Sequence, residues 1–227
     1  MKPLCVIDLD GTLLDCAERH HRCYQESLAP LSRRVWSRAD YWRMKRAGRS
    51  LAGILDSEDP VMLNAYRERW RRRIESPELL ALDRPAPGAM AALQGWRGRG
   101  PLVLCTLRRD RAATLAQLRG LGLAGCFDQI IVTGGQDKAR ALERELAFGY
   151  SGLTWIGDSE ADLEAARALR ARACLVTHGI RDAECLRRHG AARDELYPAL
   201  NAIDPFFIPW DGPPEIAPLS NDPGAPW

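Results

Sequence analysis

The sequence predicts an α/β protein: a parallel sheet with helices on both faces, carrying a small helical insertion. Three observations predict it. Five short apolar runs recur along the chain, segments with helical periodicity separate them, and one interval is far too long for a single crossover.

The apolar runs at 4–8, 102–106, 129–132, 153–156 and 173–176 are rich in Val, Ile, Leu or Cys and too short for helices, so they read as buried strands. Between them, 88–97, 109–121, 137–147 and 160–169 place apolar residues at helical spacing. Nearly a hundred residues separate the first strand from the second, where a crossover needs about a dozen. Helices are expected in that insertion around 17–29, 39–45, 51–55 and 61–74. The string Asp83-Arg84-Pro85-Ala86-Pro87-Gly88 then breaks the pattern and returns the chain to the sheet. The expected division is a core of 1–15 and 83–203, a helical insertion of 16–82 and a proline-rich tail of 204–227. Regular structure is not expected in the tail, although Phe206, Phe207 and Trp210 favour its partial docking.

Lysine and arginine total 32 against 30 acidic residues, a formal charge of +2, which supplies no net drive toward nucleic acid or an anionic membrane. The basic run 67–73 carries Tyr66, Trp70 and Ile74 at intervals of four, an apolar stripe that leaves its arginines on an outer face. The apolar run after Met1 and Lys2 is too short for a signal-peptide core, and no stretch approaches membrane-spanning length. Seven cysteines form no CxxC pair, and Cys5, Cys105 and Cys174 sit in strand-like runs. A reduced, cytoplasmic protein is therefore expected. Monomer and homodimer remain equally open.

Asp8 and Asp10 follow the first strand in Val6-Ile7-Asp8-Leu9-Asp10-Gly11-Thr12, at the strand's carboxyl end, where open parallel sheets collect ligands. Alternation puts both carboxylates on one side, and Gly11 permits a sharp turn. Asp158 and Asp162 stand just past another strand, in Gly157-Asp158-Ser159-Glu160-Ala161-Asp162. Their spacing of four makes them face one way if the helix has begun by Asp158. So much negative charge at one sheet edge calls for a divalent cation, and hard oxygen ligands beside a phosphate favour magnesium. Thr106 ends the second strand and Lys138 opens the helix after the third, so a hydroxyl and an ammonium are placed to hold phosphoryl oxygens.

These strings, DLDGT at 8–12, the strand-end Thr106, Lys138 and GDSEAD at 157–162, resemble in kind and order the motifs of the haloacid dehalogenase superfamily of hydrolases. The resemblance runs from about residue 4 to 177. It implies a modified Rossmann-like core with a helical cap between the first two motifs, and a phosphatase acting on a small phosphorylated metabolite. It makes Asp8 the nucleophile and Asp10 the general acid and base. Magnesium would be held by Asp8, the Asp10 carbonyl and Asp158, with Asp162 supporting. Gly11, Thr106, Lys138 and the backbone beside Leu107 would meet the phosphoryl group. Two positions depart from the family pattern: Leu107, where asparagine is frequent, and Ala139, where proline is.

An ordinary carboxylate is already ionised at pH 7, so Asp8 needs no activating base. Asp10 must carry a proton to the leaving group and afterwards take one from water, which calls for a pKa raised toward neutrality. The string 44–50 resembles the glycine-containing cap loop of sugar-phosphate members. Arg46 or Arg49 would then pair with a second anionic group on the substrate, unless both are solvated helix-end arginines. Arg108 and Arg109 pose the same choice. His20 and His21 lack the spacing of metal ligands and read as surface or hinge residues. Other readings stay open: a β-phosphoglucomutase-like sugar phosphomutase, a phosphatase of nucleic-acid ends, and a binding protein without turnover.

Overall fold

The computed structural model describes residues 2–31, 35–147 and 149–207. The chain enters through β1 (Leu4–Ile7), whose four residues are fully buried, and turns sharply at Gly11, whose φ of 85° is unfavourable for any residue with a Cβ. A short β2 (Leu14–Asp15) leads into helices α1 (Ala17–Leu28), α2 (Arg38–Arg46), α3 (Leu51–Leu55), α4 (Pro60–Arg73) and α5 (Pro77–Leu80). Three of these begin at side-chain caps: Ser37 accepts from the Asp40 amide, Ser50 from Gly53 and Asp59 from Val61. Pro60 occupies the first turn of α4, where its missing N–H costs nothing.

The return strand β3 (Arg84–Pro85) pairs antiparallel with β2, matching Leu14 to Pro85 and Asp15 to Arg84. Both connections to the inserted helices are thereby tied into one two-stranded ribbon, which the irregular string 83–88 did not reveal. Beyond it come α6 (Ala89–Trp96), β4 (Leu102–Thr106), α7 (Arg111–Gly120), β5 (Gln129–Val132), α8 (Lys138–Glu145), β6 (Leu153–Gly157), α9 (Glu160–Ala168), β7 (Arg172–Val176), α10 (Ala183–Arg188) and β8 (Leu196–Tyr197). The last helix and strand were not expected, since each is short and lacks a clear period.

The main sheet runs β5-β4-β1-β6-β7-β8 and every neighbouring pair is parallel. Strand order reverses at β1, so the crevice at its carboxyl end is a topological switch point. Period-two alternation divides the strands between two cores. Cys5, Ile7, Leu104 and Ile156 pack against α6 and α7, while Val6, Cys105, Trp155 and Leu175 pack against α8, α9 and α10. The inserted helices have an apolar core of their own around Tyr24, Tyr41, Ile54, Met62 and Tyr66. Within it the Tyr24 and Tyr41 rings stack with centroids 4.5 Å apart.

His20 and His21, expected on the surface or in a hinge, are buried. His20 lies against the Trp42 and Trp70 rings, and His21 Nε2 lies 3.0 Å from the Trp36 carbonyl. Arg67 and Arg71 are exposed, as the apolar stripe requires, with Tyr66 and Ile74 buried beneath them. Phe206 packs on the core and its ring receives Arg99, whereas Phe207 faces solvent; Trp210 lies outside the described residues. No helix among the described residues is long and apolar enough to cross a membrane.

Candidate active site

Four strand ends deliver the residues of the site to one edge of the sheet. Asp8 follows β1, Thr106 closes β4, Asp158 follows β6, and Lys138 opens α8 after β5. Lysine at a helix N-terminus has the wrong sign for the helix dipole. Its presence there is explained by what it reaches: Lys138 Nζ lies 2.8 Å from Asp8 and 2.6 Å from Asp162, and all three side chains are buried. Asp137 starts α8 as its N-cap and so aims the lysine.

Carboxylate oxygens of Asp8, Asp158 and Asp162 lie within 4.8 Å of one another. Burial pushes the Asp8 carboxyl up to about 7, opposed by Lys138 and assisted by Asp162. Asp158 is raised well above the carboxylate range by burial and then by its two acidic neighbours. Asp158 is held by the Thr12 hydroxyl at 3.0 Å and by the Ile180 amide. The loop 178–181, which no motif marked, therefore belongs to the site.

Glycines make that closeness possible. A Cβ on Gly11 would stand 2.1 Å from Asp158 Oδ2, and one on Gly179 would stand 2.2 Å from the same atom. Three buried carboxylates crowd around one ammonium in a pocket of hard oxygen donors, which fits a divalent cation.

Asp162 does not share one face with Asp158 as the spacing of four suggested, because α9 begins only after Ser159. Asp162 folds back instead. It receives Lys138, the Trp155 indole at 3.1 Å, the amides of Asp158 and Ser159, and the Ser159 hydroxyl at 2.6 Å. With five donors on its two oxygens, Asp162 braces the site from beside Asp8 and Asp158. Trp155 was missed in the sequence, although an indole in a buried strand must find an acceptor.

Asp10 contradicts its expected titration. Its carboxylate receives Arg19 at 2.5 Å and Arg108 at 2.6 and 3.0 Å. Although burial would raise it, Arg108 and Arg19 outweigh that and hold the group far below the usual carboxylate range. Arg108 is thus not a solvated arginine: it is buried between Asp10, Asp83 and Gln117. Asp83 also takes Arg19 Nε at 2.9 Å and Gln117 at 2.9 Å, closing a charge-balanced cluster of two arginines and two aspartates.

Arg109 stays exposed and pairs with Glu75. Leu107 is 39% exposed at the same edge. Arg46 donates to the Thr177 carbonyl at 2.6 Å, fastening the inserted helices to the loop after β7, and does not border the cavity beside it. Arg49 does: with Lys45, Trp70 and Arg181 it borders a cavity of about 240 Å³ between the inserted helices and that loop. Neither Lys45 nor Arg181 was singled out from sequence, where each is one more basic residue among 32.

Comparison with known proteins agrees with this geometry. The family model of haloacid dehalogenase-like hydrolases matches residues 2–170. A phosphoglycolate phosphatase of Cereibacter sphaeroides is 31% identical over 216 residues, covering 86% of this chain and 95% of its own. One from Nitrosospira multiformis is 29% identical, covering 77% and 82%. Among solved structures, a predicted phosphatase from Clostridium acetobutylicum superposes with a TM-score of 0.70 at 20% identity, covering 89% of this chain and 96% of that one. A haloacid dehalogenase-like hydrolase from Streptococcus pneumoniae gives 0.68 at 18%, covering 88% and 96%. The sheet order, the acidic cluster and these likenesses agree that the chain belongs to the haloacid dehalogenase-like hydrolases, as a phosphatase.

Proposed function

We propose that the protein is a magnesium-dependent phosphomonoester hydrolase which takes the phosphoryl group of a small organic phosphate onto Asp8 and releases it to water. The observation that carries this reading is the Asp8 carboxylate at the switch point of the sheet, 2.8 Å from Lys138 and clustered with buried Asp158. Asp8 and Asp158, with the Asp10 carbonyl, would hold the magnesium. When bound, the cation supplies positive charge that offsets repulsion between the nucleophile and the phosphate.

Asp8 attacks phosphorus and the ester oxygen leaves. Lys138, Thr106 and the amides beside Gly11 and Leu107 bind phosphoryl oxygens as charge develops on them. Asp10 as placed is ionised and therefore equipped to accept the proton of the attacking water. Donating a proton to the leaving group requires its carboxyl to part from Arg19 and Arg108. Arg19 belongs to α1 of the inserted helices, and in this reading those helices (16–82) form a cap whose motion governs that separation.

The relatives' activity makes phosphoglycolate the first substrate to assay. Reaction with a radiolabelled phosphate ester, acid quench and peptide mapping should place label on Asp8. Asp8→Asn should abolish both label and turnover while circular dichroism stays unchanged. Label on another residue, or ordinary hydrolysis by the variant, would remove Asp8 as nucleophile. Product analysis with a hexose phosphate separates hydrolysis from a mutase, which returns isomerised sugar phosphate.

A further inference from the structure

At one place the inserted helices and the core cap each other's helices. Just beyond α4 the Glu75 carboxylate accepts the backbone amides of Arg109 at 2.9 Å and Asp110 at 2.8 Å. Asp110 is the N-cap of α7, so Glu75 brings an acceptor and a negative charge to a helix end whose amides lack partners within the helix. Arg109 answers in the other direction. Its guanidinium donates to the Arg71 carbonyl in the last turn of α4, where positive charge is favoured, and its Nε lies 3.4 Å from Glu75. The Glu75 side chain is 14% exposed and that of Arg109 41%, so the carboxylate is the sheltered half of this exchange and water weakens it less.

The segment held in this way joins β4 to α7 and carries two parts of the site. Leu107 lies beside the backbone assigned to the phosphoryl oxygens, and Arg108 grips Asp10. Toward the core the segment is fixed early: the Gly134 amide donates to the Arg108 carbonyl at 3.0 Å, and the Arg108 side chain reaches Asp83 and Gln117. Its later half has no such packing. Arg109, Asp110, Arg111 and Ala112 are all exposed, and the first buried residue of α7 is Thr114. Glu75 therefore holds the stretch that apolar burial leaves free, and without it the backbone of several residues regains freedom.

We propose that Glu75 is a positioning residue for the loop after β4: from the inserted helices it fixes the amides of Arg109 and Asp110, and through them the backbone beside Leu107 that receives the phosphoryl oxygens. Glu75 touches no substrate atom and acts only through the loop. Donors already held in place bind an anion without first being ordered, so the seating of the inserted helices and the affinity for the phosphoryl group depend on one contact. This rests on the phosphatase reading above.

The test compares the wild type with Glu75→Ala, Glu75→Gln and Glu78→Ala, the last removing a neighbouring exposed carboxylate of the same insertion. Amide hydrogen exchange of 107–114 is followed by mass spectrometry. In parallel, kcat and KM for phenyl phosphate and the inhibition constant of inorganic phosphate are measured with magnesium. Glu75→Ala should speed exchange in 107–114 and raise KM and the phosphate inhibition constant together, each about 10-fold, with kcat changed less. Glu75→Gln, which keeps one acceptor oxygen, should recover most of both effects, and Glu78→Ala should behave as the wild type. Faster exchange with unchanged phosphate affinity overturns the assignment, as does weaker affinity with unchanged exchange. Exchange that quickens across the whole chain overturns it too, since that is general loosening. Hydrolysis of phenyl phosphate or phosphoglycolate by the wild type reports the phosphatase chemistry separately: present while the Glu75 variants fail these expectations, it sinks this inference alone; absent for both esters, it sinks both.

Discussion

Replacing Asp83 by asparagine tests the buried cluster that holds Asp10. Asp83 is 1% exposed and accepts Arg19 at 2.9 Å, Arg108 at 3.1 Å and Gln117 at 2.9 Å. Asparagine keeps the shape, but it removes the charge and turns an NH₂ donor toward groups that are themselves donors. Two guanidiniums would then share Asp10 alone, leaving one positive charge uncompensated in a space water does not reach. Breaking a buried pair in this way costs about 3–5 kcal/mol, against about 0–1 kcal/mol for an exposed pair. In a domain of this size that corresponds to a fall in Tm of about 6–20 °C. Urea unfolding at fixed pH, with the m-value monitored, measures it. In an Arg19→Met background the same change should cost markedly less, because the surplus charge has already gone; the difference is the coupling energy. A loss below about 1 kcal/mol, or equal losses in both backgrounds, would refute the claim that the cluster is a balanced unit.

Two further outcomes are expected. Magnesium should raise Tm by several degrees at saturating concentration and chelation should reverse it, since the cation relieves the crowding of three buried carboxylates; Asp158→Asn should abolish most of that shift. Gly157→Ala would place a Cβ 2.1 Å from Asp162 Cγ, so it should cost about 1–3 kcal/mol in urea unfolding and weaken the magnesium-induced rise in Tm.

Much of the fold was legible because its signals are local. Runs such as 4–8 and 102–106 declare strands by β-branched and aliphatic content, and the overlong first interval declares an insertion from chain length alone. The short elements β2, β3 and β8 were not legible, since two residues carry no period and exist only through a partner strand. The same division runs through the candidate site. Asp8, Asp158, Thr106 and Lys138 stand at strand ends and helix starts that the pattern itself locates. Trp155, Ile180 and Asp83 join the site through contacts with residues 7, 22 and 25 or more positions away.

By itself, then, the order of residues determined the parallel α/β architecture, the place of the inserted helices and the meeting of the acidic motifs at one edge, because periodicity and turn residues act over a few positions. Only the tertiary structure decided the electrostatic state of each group. It pairs Asp10 with Arg19 and Arg108, commits Asp162 to five donors, and sets Lys45 over the Trp70 ring. Charges act through space and burial sets their strength, so which carboxylate meets which cation follows from packing that brings together residues nearly a hundred positions apart.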